Sequence, residues 1–151
     1  MDPFKALQES IARIWGGSPR TFFEAVLARV EQWNPKRVGG WRETNYQEDL
    51  IKTFRPSDAV EIDQPKKGCD IEVRWLYLGR VKEKIAIETK LDNFSVKDVV
   101  GGIEIYRKDY NGIIVVLLGN PPKDKVSQVK SKLAEVKKMY RIPTHLVLKE
   151  F

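Results

Sequence analysis

Cysteine and histidine are nearly absent from this chain: Cys69 and His145 are the sole representatives of their types among 151 residues. One cysteine excludes an intrachain disulfide and a cysteine-rich zinc site. No zinc-ligand spacing, Walker-type glycine loop, internal repeat or low-complexity tract occurs either, and nothing calls for a small-molecule cofactor. Long apolar runs are missing too: none could cross a bilayer, and Met1–Trp15 lacks the apolar stretch of a secretory leader. No membrane partner is expected, and the expected location is cytoplasmic. What is present in quantity is charge, with 27 basic against 21 acidic residues and a formal net charge of +6. That balance favours a polyanionic partner without identifying one. The length suits a single domain, 1–151, with one sizeable core.

The organising stretch runs from Gly68 to Lys90. Ile71, Val73, Trp75 and Tyr77 alternate with Asp70, Glu72, Arg74 and Leu76, and Ile85 and Ile87 alternate with Ala86, Glu88 and Lys90. This period of two predicts two half-buried strands, joined by a turn around Gly79-Arg80. Pairing that keeps the apolar residues on one face sets Asp70 opposite either Glu88 or Lys90, with all three on the other face. Two carboxylates held close repel and invite a cation, and hard oxygen donors suit Mg²⁺ or Mn²⁺ better than zinc. A neighbouring lysine would orient a water or offset developing negative charge, which is the equipment for phosphodiester hydrolysis. The plainer reading of the same residues is a solvated cross-strand ion pair.

Gly-Cys-Asp-Ile at 68–71 and Ile-Ala-Ile-Glu-Thr-Lys at 85–90 resemble the signature of the PD-(D/E)xK nuclease superfamily, the restriction-endonuclease-like fold. Cys69 stands where that family usually has proline. The stretch 99–119 resembles the helix and strand that follow in Mrr-like, RecB-like and archaeal resolvase-like members, with Tyr106 present and Gly102 in place of the usual glutamine. The resemblance covers 44–148. It implies an α/β/α sandwich with a mixed central sheet and a divalent-metal-dependent DNA nuclease. Asp70 and Glu88 would be metal ligands, Thr89 would lend a backbone carbonyl and Lys90 would assist the nucleophilic water. One more acidic ligand is implied on the preceding helix, for which Glu48 is the candidate and Gln47 the alternative. A catalytically inactive nucleic-acid-binding module, or a subunit of a larger repair, transposition or restriction assembly, is the competing function.

Around this core, Asp2-Pro3 predicts a helix carrying Phe4, Leu7, Ile11 and Ile14, stopped at Gly16-Gly17. Ser18 and Pro19 predict a second, striped by Phe22, Phe23, Val26, Leu27, Val30 and Trp33. This N-terminal helical pair, 1–35, covers either the sheet or a second copy; its surplus of large apolar residues leads us to expect a homodimer. Lys36, Arg37 and Arg42 lie in a basic, glycine-bearing stretch that reads equally as a phosphate-contacting loop or a linker. Thr44 and Gln47 are spaced as a capping box for the third helix. Lys66 and Lys67 sit in the turn before Asp70. Lys97, Tyr106 and Arg107 lie on the helix begun by Ser95 and complete the candidate DNA contacts. The continuous apolar run Ile113–Leu118 predicts a strand buried on both faces.

Overall fold

The computed structural model describes residues 2–57 and 59–151. Three helices lead: α1 (Pro3–Ile14), α2 (Phe22–Gln32) and α3 (Glu43–Ile51). Strands β1 (Val60–Asp63), β2 (Ile71–Tyr77) and β3 (Arg80–Leu91) follow, then α4 (Val96–Asp109), β4 (Gly112–Gly119), α5 (Lys123–Tyr140) and β5 (Thr144–Glu150). The strands form one mixed sheet in the order β1-β2-β3-β4-β5, antiparallel from β1 to β3 and parallel from β3 to β5. The fold is mixed α/β, with helices on both faces of the sheet.

The alternation of side chains assigns each face its cover. Ile71, Val73, Ile85, Ile87, Ile114, Val116 and Leu118 pack with α1, α2 and α3, whereas Ala86, Ile113, Val115 and Leu117 pack with α4 and α5. Strand β4 is therefore apolar throughout because successive residues enter different cores. The helical pair covers the sheet: Leu7, Ile11, Trp15, Phe22, Val26 and Trp33 are all buried in the first core. The aromatic residues expected to seek a second copy are thus occupied within their own chain. Truncating one such aromatic to alanine removes about 3–5 kcal/mol of packing.

Two helix starts differ from expectation. Helix α2 is capped by Thr21, whose side chain accepts from the Glu24 amide at 3.1 Å, not by Ser18. The Glu24 carboxylate in turn accepts from the Arg20 amide, so the first turn is satisfied from two sides. Helix α3 begins at Glu43 instead of being capped by Thr44, because Asn45 reaches back to accept from the Arg42 amide at 2.9 Å. The hairpin turn falls at Leu78-Gly79, both at positive φ, joining Tyr77 to its partner Arg80. A bulge lies below it, pairing Trp75 with Glu83 but Leu76 with Val81. From there the register runs unbroken to Ile71 opposite Ile87. That brings the residue entering β2, Asp70, to the end of β3 that carries Glu88.

Candidate functional site

The site is built from the start of β2 and the end of β3. Cys69 turns into the protein, 2 % exposed, and its thiol donates to the Ile71 carbonyl at 3.2 Å; burial pushes the thiol up to about 11, so it is held inert. That anchor orients the next residue, Asp70, whose Oδ2 accepts from the Thr89 amide at 2.8 Å and from its hydroxyl at 3.3 Å. Glu88 is 5 % exposed, with Oε2 accepting from the Tyr106 hydroxyl at 2.5 Å. Burial first, and then Asp70 beside it, push the Glu88 carboxyl up to about 8 against the opposing pull of Tyr106 and Lys90. Lys90 Nζ stands 4.0 Å from Glu88 Oε1 and 4.0 Å from Glu43 Oε1. Glu43 is fixed from its other oxygen, which accepts from the Leu91 amide at 2.9 Å.

Asp70, Glu88 and Lys90 are brought together as the hairpin pattern suggested, with Thr89, added by the resemblance, bonded to Asp70. Glu48 is not with them: it is exposed on α3, and the α3 carboxylate beside Lys90 is Glu43. The reason is the helix start. With Glu43 at the first position, Glu43, Tyr46, Gln47 and Leu50 share the inward face at spacings of three, four and seven, and Glu48 turns outward. Gln47 is buried, within 3.5 Å of Gln64. The Glu43-Tyr46-Gln47-Leu50 spacing was the signal that could have found Glu43.

The expected DNA contacts divide. Lys36, Arg42, Lys66, Lys67 and Lys97 are exposed. Arg37 is exposed but lies over the Phe151 ring and donates to the Phe151 carbonyl. Tyr106 is buried, donating to Glu88 and to the Gly68 carbonyl, so it supports the carboxylates and offers no surface to a backbone. Arg107 is tied to Glu104 and stacked over Tyr140 at 3.9 Å, joining α4 to α5. Gly102 has a structural reason: a Cβ there would sit 3.3 Å from the Tyr106 ring.

Among the described residues, no group of three or more His, Cys, Asp or Glu side chains is placed to hold a metal ion. The donors that are present fit a hard divalent cation held by one or two carboxylates and its own waters, the usual manner of Mg²⁺. The fit rests on Glu88, a carboxyl forced towards neutrality by its burial first and by the Asp70 carboxylate beside it, a conflict that a cation would relieve. Beside the cluster opens a cleft of about 580 Å³ that includes Glu43 and Lys90 in its lining. Another, of about 680 Å³, lies towards the other end of β3 near Glu83 and Arg141, and neither cleft is lined by Asp70 or Glu88 themselves.

No protein-family model matches the chain, and no curated protein or solved structure matches it.

Proposed function

We propose that this protein is a divalent-metal-dependent nuclease that hydrolyses DNA phosphodiester bonds. One observation carries the reading: at the end of β3, two adjacent carboxylates, Asp70 and Glu88, stand with the Lys90 ammonium 4.0 Å from the more buried one. Asp70, Glu88 and the Thr89 carbonyl are the groups that would hold Mg²⁺ or Mn²⁺. When bound, such an ion supplies Lewis-acid polarisation of a phosphoryl oxygen and lowers the pKa of a water. The protein's own groups do the rest. The Thr89 amide and hydroxyl hold Asp70, the Tyr106 hydroxyl fixes one oxygen of Glu88, and Glu43 steadies Lys90 from the other side. Lys90 places positive charge where negative charge develops on the phosphorus oxygens and orients the attacking water.

The finer fold assignment, restriction-endonuclease-like, draws support from the antiparallel hairpin leading into two parallel crossover units with the acidic cluster at the end of β3. Exposed Lys36, Arg42, Lys66, Lys67 and Lys97 are the residues proposed to meet the DNA backbone. Cutting two strands symmetrically, as at a branch, takes two such sites, so a homodimer belongs to the reading, with an interface away from the aromatics of the helical pair already buried against the sheet.

Purified protein given plasmid, single-stranded and branched DNA with Mg²⁺ or Mn²⁺ is expected to cleave. Asp70→Ala and Lys90→Ala should each lower the rate by about 10²–10³-fold. Undiminished cleavage in both variants would sink this site. Metal binding without cleavage of any substrate would favour an inert nucleic-acid-binding module working in a larger assembly.

A further inference from the structure

The cleft beside the cluster differs in character from a groove that tracks a phosphate backbone. Its charged lining is balanced, with Arg42 and Lys90 against Glu43 and Asp98, whereas a backbone groove needs an excess of positive charge. At about 580 Å³ it has the size of an ordinary small-molecule pocket. A volume of that order is too small for a duplex to enter. A single nucleoside can.

The lining also carries the two kinds of group that a nucleobase uses. Trp41 is partly exposed, and its ring is braced edge-on by Tyr46 with centroids 5.0 Å apart. Tyr46 is itself buried, stacked on Phe151 at 5.6 Å and accepting from the Val38 amide at 3.2 Å. The indole is therefore held before anything binds, which reduces the ordering cost of stacking on it. Asn93, on the turn after β3, is exposed in the same cleft and offers an amide that can both donate and accept.

We propose that this cleft receives one unpaired nucleobase adjacent to the phosphate held at the carboxylate cluster, stacked on Trp41 and met at its edge by Asn93. The position of that phosphate rests on the nuclease reading, because Glu43 and Lys90 belong to both cluster and cleft. The preferred substrate class follows: single strands and the unpaired positions of branched DNA, ahead of continuous duplex.

Binding separates this proposal from catalysis. Fluorescein-labelled oligothymidylate and a blunt duplex of equal length would be titrated by anisotropy into the Asp70→Ala protein, which is not expected to cut them. Adding Trp41→Ala is expected to weaken oligothymidylate binding about tenfold or more and to leave the duplex unchanged, whereas Trp41→Phe keeps most of the affinity. Asn93→Ala, at an exposed turn, is expected to give a smaller loss on oligothymidylate alone and serves if Trp41→Ala does not fold. Equal losses on both probes, no loss on either, or no oligothymidylate binding at all would overturn the cleft. Trp41-dependent binding by a wild-type protein that never cleaves would uphold the cleft and remove the nuclease reading. Cleavage with binding indifferent to Trp41 would do the reverse.

Discussion

Two tyrosines one turn apart, Tyr106 near the end of α4 and Tyr110 just past it, donate to two glutamates on the same face of the hairpin. Tyr106 bonds Glu88 at 2.5 Å and Tyr110 bonds Glu72 at 2.6 Å, with the two rings packed edge to face. The donors match; the outcomes do not. Burial would raise Glu72, but the bonds from Tyr110 and Arg74 outweigh it and hold its carboxyl below the usual range. Arg74 also reaches Asp63 and Glu61, closing a complete ion-pair network. Glu88 is more deeply buried, and with another carboxylate as its neighbour and a lysine only at 4.0 Å that burial is not outweighed, so its carboxyl rises to about 8. Glu72 is satisfied within the protein, whereas Glu88 is left short of positive charge. The difference teaches that a buried carboxylate becomes a candidate ligand through what the fold withholds from it.

The sharpest break of this comparison is to neutralise each glutamate in turn without metal. Glu72→Gln leaves the half-buried Arg74 short of its partner and is expected to cost about 1–3 kcal/mol. Glu88→Gln relieves the repulsion with Asp70 and is expected to raise the melting temperature at pH above 8. The pH profiles differ in sign. The folded-state pKa of Glu88 is raised from 4.5 to about 8, so its contribution is full below 4.5 and is lost as pH rises through about 8. Glu72 is depressed, so its contribution is present above its ordinary value and is lost as pH falls through the lower folded value. Thermal unfolding across pH should therefore lose the decline between about pH 4.5 and 8 in Glu88→Gln and part of its acid decline in Glu72→Gln. Matching profiles in the two variants would break the comparison.

A smaller effect separates the tyrosines. Tyr106→Phe removes the hydroxyl that orients Glu88 and should lower Mn²⁺ affinity and cleavage about tenfold. Tyr110→Phe should cost about 1 kcal/mol of stability and leave both functional readouts unchanged. Equal losses of metal affinity in the two variants would show that Tyr106 acts only as core.

The parts of the site that could be read in the chain are those set by strand periodicity. Asp70, Glu88 and Lys90 fall together because alternation fixes the face and the apolar pattern fixes the register, even though the turn slips by one residue to Leu78-Gly79. What escaped depended on helix ends. Thr44 and Gln47 have the spacing of a capping box, yet the Asn45 side chain and the Arg42 amide make the contact that starts α3, and this moves the site carboxylate from Glu48 to Glu43. Tyr106 and Arg107 were legible as helical, but not the one as buried and the other as paired within the protein. The burial of Tyr106 follows from the Val99-Ile103-Tyr106 stripe, and the pairing that occupies the partly exposed Arg107 follows from Glu104 three residues before it. The burial of α1 and α2 against the sheet was one of two open outcomes, since a stripe states that a face is covered and not by what.

The central claim is that Asp70 and Glu88 form a divalent-cation site, and a calorimetric titration with Mn²⁺ on either side of pH 8 tests it most directly. The expected result is binding that strengthens as pH rises through the Glu88 range, with proton release on the acid side, because the ion competes with the proton held there. That binding should vanish in Glu88→Gln and persist in Glu72→Gln. No heat up to millimolar Mn²⁺ at either pH, or binding that survives Glu88→Gln unchanged, would contradict it.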